Sequence, residues 1–92
     1  MERFKEKLMI DVRHKLYEIF GATLEQFLQG IRLSKAEFEK NIIADIEYGG
    51  IAYARTKVYW SINCLSCIIQ ERSLKRKMTL DEVEENARIY GL

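Results

Sequence analysis

The residues of this chain that could do chemistry are two cysteines and one histidine. Cys64 and Cys67 are separated by two residues, a spacing at which paired thiols bind zinc or cycle through a disulfide. A structural zinc site needs four ligands, and the chain adds only His14, far away in the sequence. Redox pairs usually sit at a helix start, whereas helical periodicity puts these cysteines well inside a helix. We therefore interpret both as packing residues in a reducing compartment and predict no metal site.

His14 does not indicate a catalytic site either. It lies between Arg13 and Lys15 on the polar side of a predicted helix, where an exposed imidazole is the usual arrangement. A general base needs a nucleophile or an orienting carboxylate beside it, and one unaccompanied histidine defines no such set. Gly49 and Gly50 lack the preceding strand that a phosphate-binding loop requires. We therefore expect a protein that is not an enzyme, with no cofactor and no small-molecule substrate.

The composition predicts a single helical domain. The chain has 92 residues, enough for one core but not two, and its content of 48% hydrophobic and 32% charged residues is typical of globular proteins. Proline is absent and glycine occurs five times, which favours long helices over sheet. A net charge of +1 provides no global attraction to nucleic acid or lipid, so such binding would need a local patch.

The sequence predicts neither a secretory signal nor a membrane span. Residues 1–7 carry mixed charges instead of the basic start and continuous apolar region of a signal peptide. The most apolar stretch, residues 58–69, is shorter than the roughly 20 residues of a spanning helix and contains Ser61, Asn63 and Ser66. We expect a cytoplasmic protein without a membrane partner.

Apolar periodicity and capping signals predict an all-α bundle of four or five helices. Thr23, Ser34 and Thr79 each precede Glu or Gln by three residues, the pattern of a capping box at a helix start. Gly21 and the pair Gly49-Gly50 stand where helices end or turn. The predicted helices cover residues 2–20, 23–30, 34–50, about 51–75 as the long central helix, and 79–90.

The long central helix is predicted to be apolar on two sides. One side is an aliphatic stripe, and Tyr53 and Trp60 lie nearly opposite it with Cys64 and Cys67. Such a helix is either packed by neighbours on both faces or presents its second face to another chain. The stripe contains Ile51, Ala54, Val58, Ile62, Leu65 and Ile69, and the narrow polar strip contains Arg55, Thr56, Asn63, Ser66 and Gln70.

Tyr53, Tyr59 and Trp60 are the candidate partner-binding residues. Tyrosine and tryptophan combine a large apolar area with a polar tip and dominate binding hot spots, although simple core packing would explain the same side chains. The leading hypothesis is a non-catalytic binding module that docks on a macromolecular partner, either a different protein or a second copy of itself. Its size suits a small regulator or inhibitor of phage or mobile-element type.

Residues 23–42 resemble the helix-turn-helix of phage-repressor-like DNA-binding proteins. In that family a capped first helix leads into a tight turn, and a serine begins the recognition helix. Here Phe27, Ile31, Leu33 and Phe38 stand at the core positions, and Arg32 replaces the usual turn glycine. Ordinary packing of two capped helices would explain this segment as well.

The resemblance implies, as the alternative function, a DNA-binding transcriptional regulator. The recognition helix would present Ser34, Lys35, Ala36, Glu37 and Lys40 to the major groove or the adjacent phosphates. A basic cluster at the end of the long helix would add phosphate contacts, although a solvated helix end also explains that cluster. The cluster contains Arg72, Lys75, Arg76 and Lys77.

Overall fold

A computed structural model describes residues 2–92, which form four α-helices joined by short turns. The described part of the chain contains no strand, so the predicted all-α fold with a long central helix is confirmed. None of its helices is both long and apolar enough to cross a membrane. The helices are α1 (Glu2–Phe20), α2 (Leu24–Gly30), α3 (Lys35–Leu74) and α4 (Leu80–Ile89).

The helix starts follow the capping signals of the sequence. At α2 the Thr23 hydroxyl accepts from the backbone N–H of Gln26 at 3.1 Å, and the Gln26 side chain accepts from the backbone N–H of Thr23 at 2.9 Å. The start of α4 has the same reciprocal arrangement. At α3 the Ser34 hydroxyl accepts from the Glu37 N–H but donates to the Glu37 carboxylate, so only half of the capping box forms. These bonds satisfy backbone donors that a helix start leaves free.

The long helix α3 is bent at Gly50. This residue has φ 88° and ψ 176°, a conformation that is open almost only to glycine because other residues carry a Cβ. A straight α3 would be about 60 Å long, whereas the longest dimension of the molecule is 41 Å. Asp45 and Lys57, about 18 Å apart along a straight helix, form an ion pair at 3.2 Å. The first limb (residues 35–49) and the second limb (residues 51–74) therefore fold back on each other.

The bend also requires a glycine at position 49. A Cβ on Gly49 would lie 2.5 Å from Cγ of Tyr53, far inside van der Waals contact. The Tyr53 side chain therefore rests against the Gly49 backbone. The predicted turn at Gly49-Gly50 is confirmed, and the two helices predicted on either side of it are the two limbs of one bent element.

Apolar stripes of α1, α2 and the two limbs of α3 meet in the core. The predicted stripes are buried over most of their length, and burial of each large aliphatic side chain contributes about 1.5–3 kcal/mol. Leu8, Val12 and Leu16 of α1 are fully buried, as is Leu24 of α2. The limbs of α3 contribute Phe38, Ile42, Ile46, Ala54, Val58 and Ile62.

A buried polar network holds α4 on the second limb. Asn86 donates to the side-chain oxygen of Asn63 at 2.7 Å and to the Ser66 hydroxyl at 3.3 Å. Its own side-chain oxygen accepts from Gln70 at 2.6 Å, and Asn63 donates to the backbone oxygen of Val83 at 3.3 Å. Throughout residues 2–92, no buried side-chain nitrogen or oxygen lacks a hydrogen-bond partner. The network is therefore fully satisfied, as a stable buried network must be.

This network sets the inward face of the last helix. Asn86 is the one buried residue of α4, whereas Val83 and Ala87 are only half-buried. The reason is that Asn63 and Ser66, on the predicted polar strip of the long helix, face α4 and need polar partners.

Gly50→Ala is expected to lower the free energy of unfolding by about 1–3 kcal/mol, because a Cβ is strained at this φ. Urea unfolding followed by circular dichroism measures the change. Gly30→Ala is the matched control, since no atom lies within 4 Å of its added Cβ, and it should change the stability by less than about 1 kcal/mol. Equal stability of the two variants would contradict the assigned bend.

Asn86→Ala should lower the free energy of unfolding by about 1–3 kcal/mol, because it leaves the buried Asn63 oxygen without its donor. Asn41→Ala, which truncates an exposed asparagine of the first limb, should stay within about 0.5 kcal/mol of the original chain. Thermal unfolding of both variants tests this. An Asn86→Ala protein as stable as the control would mean that α4 is not held by the network.

Candidate functional site

The two cysteines have the environment of packing residues. Both are free thiols on the second limb; Cys64 is half-buried and Cys67 is buried. Burial raises the pKa of the Cys67 thiol, and the nearby Cys64 and Glu71 act in the same direction. A raised pKa disfavours the thiolate, which is the form that attacks substrates and binds metals. Within residues 2–92, no three His, Cys, Asp or Glu side chains are grouped so that they could hold a metal ion.

The structure separates the three predicted partner-binding residues. Trp60 is 53% exposed and Tyr53 is 36% exposed, on the side of the second limb that faces away from the core. Tyr59 is half-buried and packs against the core, and this burial raises the pKa of its hydroxyl. Only Tyr53 and Trp60 are therefore available to a partner.

An exposed aromatic ridge, formed by Tyr48, Tyr53, Lys57 and Trp60, follows the outer side of α3 from the bend. Tyr48 is 82% exposed, and its ring centroid lies 5.3 Å from that of Tyr53. The Lys57 ammonium lies 5.7 Å from the Tyr53 ring centroid, within cation–π range, and Trp60 follows one turn later. The hydrogen bond from Lys57 to Asp45 raises the pKa of this ammonium and keeps it charged.

Tyr48 is the aromatic residue of this ridge that was not among the candidates from the sequence. It belongs to the first limb, and helical periodicity relates only residues within one straight helix. The bend at Gly50 brings it next to Tyr53. A tyrosine just before a glycine pair and another just after it is the one signal in the sequence that could have predicted the contact.

A groove of about 320 Å³ lies beside the ridge, between the turn after α2 and the two limbs of α3. Lys57 belongs to both the ridge and the groove, so the two form one continuous surface. The rim of the groove is polar and the floor of the groove is apolar, a combination that accepts one bulky side chain of a partner. The rim includes Asn41, Asp45, Lys57 and Ser61, and the floor includes Phe27, Leu33, Phe38, Ile42 and Val58.

The residues proposed to contact DNA differ in how far their side chains are free to bind. Arg32 has φ 56° at the turn position where the resembling family has glycine, and Lys35 and Lys40 are exposed. The Ser34 hydroxyl, however, both accepts from and donates to Glu37, at 3.1 Å and 2.9 Å. Its single donor and one of its two acceptor lone pairs are therefore used within the helix cap.

The side chains of the basic cluster at the end of α3 are exposed, but not all of them lack an acidic partner. Arg76 donates to both carboxylate oxygens of Glu82 at 2.8 Å and 2.9 Å. Its guanidinium, with the backbone N–H of Thr79, lowers the pKa of Glu82 to about 2. Lys77 is almost fully exposed, with its ammonium 4.0 Å from the Glu71 carboxylate. Arg76 is thus held on α4, while the other cations project into solvent.

Comparisons of the chain with protein-family models, with curated proteins and with solved structures gave no match. The function must therefore be argued from the surface itself. The side chains on that surface are mainly aromatic, aliphatic and cationic, and they offer apolar area and cation–π contacts for binding.

Proposed function

We propose that this protein is a non-catalytic helical module that docks on a protein partner through the aromatic ridge and acts as a small regulator or inhibitor. The observation that carries the proposal is the exposure of Trp60, which leaves 53% of a large apolar side chain in water. Tryptophan and tyrosine are the residue types that most often dominate binding energy at protein interfaces. Tyr48 and Tyr53 extend the same apolar surface along α3.

The contacts within the ridge support binding with a low entropic cost. Tyr48 and Tyr53 pack against each other, and Tyr53 rests on the backbone of Gly49. Lys57 is held by Asp45 on the first limb. Side chains that are already ordered lose less conformational freedom when a partner binds. The ridge therefore has the pre-ordered character of an interface.

The groove beside the ridge supplies the complementary feature. Hot spots pair protruding side chains of one protein with a recess in the other. A partner side chain in this groove would pack on Phe38 and Val58 while the partner surface covers Trp60. The protruding part of the interface, Trp60, and the receiving part, the groove, then lie on either side of Lys57.

DNA binding through α2 and the first limb is the second candidate function. The left-handed Arg32 favours it, because this conformation makes the tight turn that the resembling motif needs. The charge of the first limb opposes it, since Glu37 is exposed and lies between Lys35 and Lys40 in the sequence. Carboxylates near the phosphate backbone weaken binding. The aromatic ridge therefore carries the main proposal.

Trp60→Ala is expected to reduce partner capture from the native cell, or self-association of the purified chain, by at least tenfold, since a hot-spot tryptophan contributes about 2 kcal/mol or more. Helicity and thermal stability should be unchanged because the side chain lies outside the core. Tyr17→Ala, which removes a 74% exposed aromatic side chain of α1, is the matched control. Unaltered association would reject the ridge, and an unfolded Trp60→Ala protein would assign this side chain to the core.

Random duplex DNA should show no detectable binding at low salt if the ridge is the functional surface. Fluorescence anisotropy with labelled DNA at about 50 mM salt tests this, because phosphate contacts are strongest at low ionic strength. Binding that falls steeply with added salt and disappears in Lys35→Glu/Lys40→Glu would establish the alternative function instead.

A further inference from the structure

The aliphatic stripe of the second limb continues beyond the helices that cover it. Ala54 and Ile62 are fully buried, Leu65 is half-buried, and Ile69 is 48% exposed. Ile68, beside Ile69, is 46% exposed. The second limb is about 36 Å long, against about 28 Å for α1 and about 22 Å for the first limb. At the last turns α4 packs on Ser66 and Gln70 and leaves Ile68 and Ile69 about half exposed.

Basic residues surround this uncovered part of the stripe. Arg72 follows Ile68 and Ile69 by one helical turn and so lies on the same side of the second limb. Residues 71–77 contain four basic residues and one acidic residue. Among the ion pairs of residues 2–92, Arg76 and Lys77 have acidic partners, whereas Arg72 and Lys75 have none. Apolar side chains and unneutralised cations thus coincide at one end of the molecule.

We propose that this basic tip, formed by Ile68, Ile69, Arg72 and Lys75, binds an acidic amphipathic helix of a partner protein. The apolar face of that helix packs on Ile68 and Ile69, and its carboxylates pair with Arg72 and Lys75. The proposal goes beyond the aromatic ridge and shares no residue with it. The tip and the ridge can therefore be tested separately.

The spacing of the exposed residues indicates a helical partner. Leu65, Ile68, Ile69 and Arg72 follow the i, i+3, i+4, i+7 pattern of a face that packs against another helix. The earlier part of the same stripe, at Ala54, Val58 and Ile62, already lies in the core with residues of α1 and the first limb. A partner helix at the tip continues that packing on the side of the second limb that α4 leaves open. Helix-in-groove recognition uses anchors at this same spacing.

The charges indicate that the partner helix is acidic. A carboxylate that reaches Arg72 or Lys75 neutralises a cation that has no partner within the chain, and opposite charges across an interface speed association and set its register. Nucleic acid would satisfy the same cations through its phosphates but would leave Ile68 and Ile69 without an apolar contact. A protein helix that carries both leucine and glutamate provides apolar contacts to Ile68 and Ile69 and carboxylates to Arg72 and Lys75.

A designed peptide tests the proposal directly. The probe is a labelled helix of about 14 residues, four turns, with leucine at i, i+3, i+4 and i+7 and glutamate at most other positions. A scrambled peptide of identical composition is its control. Fluorescence anisotropy should show binding of the amphipathic peptide at least tenfold tighter than binding of the scrambled one. Equal binding of the two peptides, or none of either, would overturn the proposal.

Variants of the tip assign the binding to its residues. Ile69→Glu and Arg72→Glu/Lys75→Glu should each weaken peptide binding at least tenfold, and circular dichroism should show an unchanged fold because these side chains are exposed. Ile10→Glu, at a 55% exposed isoleucine of α1, and Trp60→Ala should retain binding. A peptide with lysine in place of glutamate should bind the Arg72→Glu/Lys75→Glu variant more tightly than it binds the original chain. Failure of this charge swap would overturn the assigned ion pairs.

Two kinds of competing occupant, a phosphate surface and a second copy, give distinct results. Duplex DNA or anionic phospholipid vesicles that bind as tightly as the peptide, and that no longer bind Arg72→Glu/Lys75→Glu, would replace the acidic helix by a phosphate surface. A second copy would show as concentration-dependent sedimentation of the original chain that Ile69→Glu abolishes. Each of these outcomes overturns the proposed partner, while the ridge test with Trp60→Ala is unaffected.

Discussion

The backbone conformation of Gly50 is the constraint on which the rest of the structure depends. Because its φ is 88°, the second limb of α3 returns along the first, and Phe38 and Ile42 meet Val58 and Ile62 instead of water. α1 and α2 then pack on this pair of limbs. A chain of 92 residues has one small core and little reserve of buried area, so neither limb could leave its stripe exposed. The same bend places Tyr48 beside Tyr53, and the core and the aromatic ridge therefore have a common origin.

Local interactions explain which parts of the fold could be predicted from the sequence. A capping box acts within four residues, so Thr23 and Thr79 mark helix starts that the structure confirms. The predicted first helix, residues 2–20, matches α1, and the glycine pair marks the bend. The environment of the polar strip of the long helix could not be predicted, because two of its residues are buried against α4. A helical wheel shows that Asn63 and Ser66 are polar, but their partner Asn86 lies on another helix, and no local pattern reveals it.

The candidate site was predictable only in part for the same reason. Periodicity indicates that the second limb is apolar on two sides, yet the sequence does not show which side the other helices cover. That depends on the lengths of α1 and the first limb and on the position of α4. These three elements bury Tyr59 partly but leave Trp60 and Ile69 about half exposed. Neighbouring residues of one helix thus acquire different environments from tertiary packing alone.

The polar side of the second limb is buried and its aromatic side is exposed, which reverses the usual arrangement. Asn63 and Ser66 are buried against α4, whereas Trp60 and Tyr53 face water. A buried hydrogen bond adds only about 0.5–1.5 kcal/mol net, but the network has four such bonds between the second limb and α4. A rotation of the second limb that brought the aromatic ridge under α4 would break these bonds and would also turn Ala54, Val58 and Ile62 out of the core. The polar network and the aliphatic stripe therefore fix the same orientation of the second limb, and Tyr53 and Trp60 remain exposed in it.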